Sequence, residues 1–352
     1  MSDITFINPT IRVGSHIGTN PYSFYKTFEL LNDNPYQAQQ IHFSGMYTNL
    51  PLVSDQYRKI YKLNTLDLLE ANKLLFNSGR FTCVHGNLRV NLCGSVDPNE
   101  QYFEFKRIKA EERLNNELDI ATALNNSGVV MHFGSCKDKK KGIKAIVKTI
   151  EGALNKITLD TKEICKKFGI TVDDIKERRH IYLENPAGEG NKIGTSLSEI
   201  KEVFDELNPK YHNQVGVCID TAHIFGAGEY DFGNPKHVKR FYKEFDKTIG
   251  LDKLQVFHFN DSRVQFNSKR DAHDNIGMGY QFGTQRNKEA NGDGYEGLKE
   301  FVSHASYYNI PMVAEPPAKI KDKRDGPGFS WDYEILKHYC PIESKDCTDF
   351  EC

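Results

Sequence analysis

Eight short apolar or β-branched runs recur along this chain, and most of them end on a residue that can hold a metal ion. The runs are Thr10–His16, Ala38–Phe43, Phe81–His85, Gly128–His132, His180–Glu184, Val215–Asp220, Leu254–Asn260 and Ile310–Glu315. Each has about the length of a β-strand. Amphipathic stretches lie between most of them, the best at Leu63–Ser78, Lys109–Asn126, Ile143–Phe168, Leu197–Leu207 and Pro235–Ile249. Strands alternating with helices predict a parallel sheet. Eight such units without a change of composition predict an α/β fold, the (β/α)8 TIM barrel, as a single domain over residues 1–352.

The chemistry-bearing residues sit at or near the ends of those runs: His16, His85, His132, Glu184, Asp220, His258 and Glu315. In a barrel the C-terminal ends of the strands form the active-site face. Strand interiors are apolar because they are buried, so polar side chains cluster where the chain emerges. A lone rim histidine is a structural feature as readily as a ligand, and Asp220 could simply cap the helix after it. Repetition around one rim favours the metal reading. With His223, Asp271 and His273, the candidate set is His85, His132, Glu184, Asp220, His223, His258, Asp271, His273 and Glu315. Nine ligands exceed one zinc and suit a cluster of two or three. Histidine and carboxylate ligands fit catalytic zinc, and manganese or iron also fits them.

Spacing supports the set. Asp220 leaves its strand and His223 follows one helical turn later, so the pair can serve adjacent ions. Asp271 and His273 are two apart, and in extended chain they share a side. His42, His180, His212, His237, His304 and His338 have no such support and are read as non-ligands.

Composition closes off other classes. No stretch approaches the roughly eighteen consecutive apolar residues of a membrane span, and Met1–Pro9 lacks a secretion-signal pattern, so an intracellular protein is expected. The eight cysteines include no Cys-x-x-Cys pair, and Cys83 and Cys218 read as buried thiols. The formal net charge of −2 does not exclude DNA as a partner, because bound divalent ions would reverse its sign. Basic residues also group at Lys137–Lys141, read as a solvated surface, and in a tail from Lys319.

Several segments resemble the endonuclease IV family of apurinic/apyrimidinic endonucleases, from about Arg12 to Glu315. Val13–His16 is similar to its opening strand and Leu183–Gly190 to its bridging-glutamate segment. Val217–Gly228 is similar to its central signature, and His258–Ser262 with Arg270–Gly279 to its third. The resemblance implies three zinc ions per chain, with manganese an option at one or more sites. His85 and His132 would hold the first, and Glu184 would bridge it to the second. Asp220, His258 and Glu315 would complete the second, and His223, Asp271 and His273 would hold the third.

The activity so implied is DNA repair. A monomer would hydrolyse the phosphodiester bond 5′ of abasic sites in double-stranded DNA, leaving a 3′-hydroxyl and a 5′-deoxyribose phosphate. Removal of 3′ blocks is a further implied activity. Glu184 would be the catalytic residue, positioning the attacking water. Leu88, Arg89 and Arg270 would contact the DNA. Here the chain departs from the family, which usually has Tyr-Leu at Leu88-Arg89 and Arg at Ala272; Ala222 stands for a Cys that is no ligand. The Tyr280–Gly294 loop is long for the family. Two other readings stay open: a metal-dependent sugar isomerase or epimerase on the same barrel, and a DNA-binding relative without catalysis. Asp220-x-x-His223 with Asp271-x-His273 argues against the first, and a complete ligand set against the second.

Overall fold

Eight strands pair in parallel and close into a barrel in the order β1-β10-β7-β6-β5-β4-β3-β2. They are β1 (Val13–Ile17), β2 (Ala38–Ile41), β3 (Phe81–His85), β4 (Gly128–His132), β5 (Ile181–Glu184), β6 (Val215–Asp220), β7 (Leu254–His258) and β10 (Met312–Ala314). The TIM barrel expected from the alternation is therefore present. The computed structural model describes residues 13–17, 38–41, 71, 73, 80–124, 127–157, 166, 169, 171–283, 286 and 294–315. The expected Leu63–Ser78 helix (residues 71 and 73 apart), the tail from Lys319 and most of the Tyr280–Gly294 loop lie outside these residues.

Helices separate the strands: α1 (Phe103–Ala123), α2 (Lys139–Asn155), α3 (Val172–Glu177), α4 (Leu197–Glu206), α5 (Thr221–Gly226), α6 (Pro235–Thr248) and α7 (Tyr295–Tyr307). Two expected boundaries need correction. α1 starts six residues before Lys109, because Phe105 and Ile108 lie exposed on its outer face and blur the amphipathic period. α2 stops at Asn155 rather than running to Phe168. Lys156 is already extended there, and the β-branched Ile157 and Thr158 follow. Near the rim, β8 (Asp261–Ser262) and β9 (His273–Asp274) form a short antiparallel pair that periodicity did not predict. Two-residue strands are too short to show alternation.

The barrel interior is built in layers, as strand alternation requires. One apolar cluster joins Ala38, Cys83, Val130, Tyr182, Cys218, Val256 and Val313, one residue from each of seven strands. Two positions further along those strands stand Gln40, His85, His132, Glu184, Asp220, His258 and Glu315. The barrel register aligns this second layer, with His132 beside Glu184 and Asp220 beside His258. Below, Tyr182 lies across the interior and its hydroxyl donates to Ser127 O at 2.6 Å. Gly128 makes room for it, since a Cβ there would meet the tyrosine ring at 2.7 Å.

Outside the barrel the helices pack through a larger core, with Phe232, Phe241, Phe257, Phe259 and Phe301 meeting in successive ring contacts. Arg179 is fully buried just before β5. It pairs with Asp119 and donates to Asn115 and to Ala153 O, tying α1 and α2 to the sheet. Removing one partner of such a pair costs about 3 to 5 kcal/mol. No helix of the described residues is long and apolar enough to cross a membrane.

Candidate metal centre

The second layer places its polar side chains within ligand distance of one another. Four groups of potential ligands form at the mouth: His85, His132 and Glu184; Glu184, Asp220, His258 and Glu315; Asp220, His223 and His273; and His85, His258 and Glu315. Within each group one ligand atom per residue lies within 4.8 Å of the others. Asp271 joins the third group, its Oδ1 standing 3.2 Å from His223 Nε2 and 3.3 Å from His273 Nε2. All nine candidates from the sequence are thus brought together. His180, His212, His237 and His304 are in none of these groups, whereas His42 and His338 lie outside the described residues. β1 ends one residue past His16, a residue whose side chain is not described.

Two carboxylates join the groups. Glu184 Oε2 faces His85 Nε2 at 3.3 Å and His132 Nδ1 at 3.4 Å, while Oε1 faces His258 Nδ1 at 2.9 Å. Asp220 Oδ2 lies 3.9 Å from His258 Nδ1 and 3.4 Å from His273 Nε2. Its Oδ1 accepts from His223 N at 2.8 Å and caps α5. The capping and ligand readings of Asp220 are therefore compatible, one oxygen serving each.

Backbone and amide groups set the orientations. His85 donates from Nδ1 to Gly86 O at 2.8 Å, and His223 from Nδ1 to Asn185 O at 2.9 Å, which turns both Nε2 atoms into the mouth. Asn185 Oδ1 accepts from Asp220 N at 2.7 Å. Asn260 donates to Asp220 Oδ2 at 2.8 Å and to Glu315 Oε2 at 3.3 Å, and its Oδ1 accepts from Glu315 N at 2.8 Å. Gln40, Asn185 and Asn260 were absent from the sequence-derived set. Two of them stand beside motif residues, in Glu184-Asn185 and His258-x-Asn260. Gln40 falls on the inward period of β2, two positions past Ala38.

The electrostatics are those of charges removed from water. Burial opposes ionisation of Glu184, but His132 and His258 outweigh it and hold the carboxyl well below its ordinary range. Burial likewise opposes charge on His223 and His258, and neighbouring anions raise both well above the usual imidazole value. Burial lowers His132 to about 4. Glu184 Oε2 and His132 Nδ1 are buried with no hydrogen bond of normal geometry, although they face each other. Acceptors left so are costly to bury unless something else satisfies them. A divalent cation between the groups would do this, so the donor set fits metal ions.

Around the mouth, Leu88 is half-buried and Arg89 and Arg270 are exposed. Asn87 Oδ1 accepts from Arg89 N at 2.9 Å and fixes that turn. Ala272 O accepts from Arg263 N at 2.9 Å, and Arg263 is exposed. Lys137 and Lys139–Lys141 are exposed at the start of α2, where Lys139 pairs with Glu199 and Lys141 donates to Asn99. Cys83 and Cys218 are buried free thiols, as expected.

Comparisons with known proteins agree with this architecture. Residues 101–325 match the family model described as a xylose isomerase-like TIM barrel. A probable endonuclease 4 of Cenarchaeum symbiosum is 31% identical over 249 residues, covering 70% of this chain and 74% of that protein. A probable endonuclease 4 of Staphylococcus saprophyticus is 28% identical over 332 residues, covering 92% of this chain and 94% of its own. The crystal structure of endonuclease IV from Thermus thermophilus shares the fold, with a TM-score of 0.65 at 21% identity and coverage of 93% and 98%.

Proposed function

Because this chain belongs to the endonuclease 4 family of xylose isomerase-like TIM barrels, we propose that it is a zinc-dependent DNA repair endonuclease. It would cut the phosphodiester bond 5′ of abasic sites in duplex DNA, leaving a 3′-hydroxyl and a 5′-deoxyribose phosphate. The observation that carries this reading is the convergence of nine histidines and carboxylates, three of their groups being linked through Glu184 and Asp220. A sugar isomerase on the same barrel has no evident use for the group made by Asp220, His223, Asp271 and His273.

His85 and His132 would hold one ion, Asp220, His258 and Glu315 a second, and His223, Asp271 and His273 a third. Bound zinc would supply water acidic enough to attack near neutral pH and would stabilise charge on the phosphate. The chain's own residues do the remaining work. Glu184, with one oxygen toward each of two groups, would bridge them and orient the attacking water. Asn185 and Asn260 hold Asp220 in place, and Asn260 also holds Glu315. Arg89 and Arg270 would contact phosphates, and Leu88 would fill the space left by a missing base. A nucleotide without a base leaves the stack at the least expense, which gives selectivity.

Incubation with a duplex carrying one abasic analogue, with and without a chelator, tests this. The expected product is a single cut on the 5′ side of the lesion with a 3′-hydroxyl end, abolished by the chelator and restored by zinc. A duplex left intact in zinc and manganese, with turnover of a ketose or aldose instead, would move the assignment to the isomerases.

A further inference from the structure

We infer that Gln40 is a positioning residue, which keeps a proton on Nε2 of His258 and turns Nδ1 toward the carboxylates of the second group. The inference deepens the metal-centre reading above and rests on it for its functional meaning. Gln40 is completely buried on β2, in the same layer as the candidate ligands. Its Nε2 donates to Glu315 Oε1 at 2.8 Å, and its Oε1 stands 2.8 Å from His258 Nε2.

The neighbours fix the amide's orientation. An ionised carboxylate can only accept, so the NH2 end must face Glu315. The amide oxygen then faces His258, and it can only accept. It also receives the Cys83 thiol proton at 3.3 Å, which matches the two lone pairs of a carbonyl. His258 therefore carries hydrogen on Nε2, and Nδ1 is the nitrogen whose proton an ion among the carboxylates would displace. A ring with its only proton on Nδ1 would set the Nε2 lone pair against the amide oxygen, whereas a ring with its only proton on Nε2 sets the Nδ1 lone pair toward Glu184 Oε1, where an ion would lie between them. Rotating the amide would relieve that contact only by turning the oxygen onto Glu315.

His258 Nδ1 faces Glu184 Oε1 at 2.9 Å, Glu315 Oε2 at 3.3 Å and Asp220 Oδ2 at 3.9 Å. This is the nitrogen presented to an ion among those carboxylates. His85 and His223 meet the same need differently, each donating its other ring proton to a backbone carbonyl. His258 instead uses a side chain reaching across the barrel interior. A residue that orients a ligand's second nitrogen tunes affinity without touching the metal.

Nitrogen-15 NMR of histidine-labelled whole chain tests the inference. Spectra would be recorded on chelator-stripped protein and again after adding zinc. The expected result for His258 is a retained Nε2–H in both states, with the zinc-induced shift on Nδ1. Zinc bound through Nε2, or an Nε2 without hydrogen in either state, overturns it. Gln40→Met and the nearly isosteric Gln40→Glu follow, each checked for native circular dichroism. Competition with a chromophoric chelator should show one zinc step weakened about 10- to 100-fold in Gln40→Met and the other steps unchanged. Unaltered ring protonation and zinc steps in both variants would also overturn it. If wild-type protein keeps Nε2–H but takes up no zinc, the positioning stands and the metal-centre reading falls. If zinc binds through the other nitrogen, the reverse holds.

Discussion

The mouth of the barrel holds its candidate ligands in two different ways. Glu184, Asp220 and His258 end barrel strands and are at most 1% exposed, placed by a hydrogen-bonded register that the whole sheet enforces. Asp271 and His273 come from the β8–β9 segment, where their side chains are 51% and 18% exposed. That segment has its own anchor. Asp261, fully buried, accepts from the backbone N–H groups of Ser262, Gly277, Gly279, Gln281 and Phe282 at 2.8 to 3.2 Å. Gly279 lets the chain come this close, for a Cβ there would meet Ser262 O at 2.3 Å. A strand end inherits its precision from the barrel, whereas a loop must devote a buried carboxylate to the same purpose. The strand-held groups should therefore be rigid and the loop-held group should fail separately.

The strongest test attacks the joint between strand-held groups. Glu184→Gln keeps the shape but removes the charge shared by His85, His132 and His258. Incision of an abasic duplex should fall at least about a thousandfold, roughly 4 kcal/mol of transition-state stabilisation, with circular dichroism unchanged. Turnover within tenfold of wild type would show that Glu184 is not the joint. The next attacks the loop's anchor. Asp261→Ala strands five buried donors, so the loop should loosen, zinc per chain should fall by one, and incision should drop on the order of a hundredfold. Metal analysis decides the comparison. If Asp261→Ala empties all sites together, strand-held and loop-held groups are not independent.

The contrast also explains how much the sequence disclosed. β3, β4 and β6 were legible to both termini, because buried strands are apolar runs bounded by the polar residues of the mouth. Those same residues are the candidate ligands, so fold and site were visible together. Gln40 was not, since a neutral amide in an apolar run has no distinctive partner until the barrel closes around it. Asp261 was quoted only within a motif. Its role depends on five backbone groups up to 21 residues away, which no local pattern displays. The start of α1 was obscured by apolar residues on its outer face.

Outside the metal groups the effects should be smaller. Arg89 stands exposed on the turn after β3, where it would meet phosphate rather than an ion. Arg89→Ala should weaken duplex binding severalfold and make the slope of log affinity against log salt shallower by about one. An unaltered slope would remove Arg89 from the DNA contact and leave that side of the mouth to Leu88.

The turn bearing Arg89 offers the finest form of the comparison, because it too rests on a buried carboxylate. Glu117 on α1 accepts from Asn87 N at 3.1 Å, but its Oε2 is buried without a hydrogen bond. Burial raises both carboxyls, Asp261 to about 6 despite its five backbone donors and Glu117, with this one, to about 7. The unfolded chain would release this proton near the ordinary value of 4.5, the folded chain only near 7. Between those values the unfolded state binds fewer protons, so stability contributed by this group is lost as pH rises and the loss is complete above about 7. Glu117→Gln keeps an acceptor for Asn87 and does not titrate. Its stability relative to wild type should therefore climb between about pH 4.5 and 7 and then level off, by about 3 kcal/mol at most. Denaturant melts of both proteins at several pH values would measure this. Parallel stability curves would mean that Glu117 is as well compensated as a carboxylate in water, and that the β3 turn is anchored by something other than a strained charge.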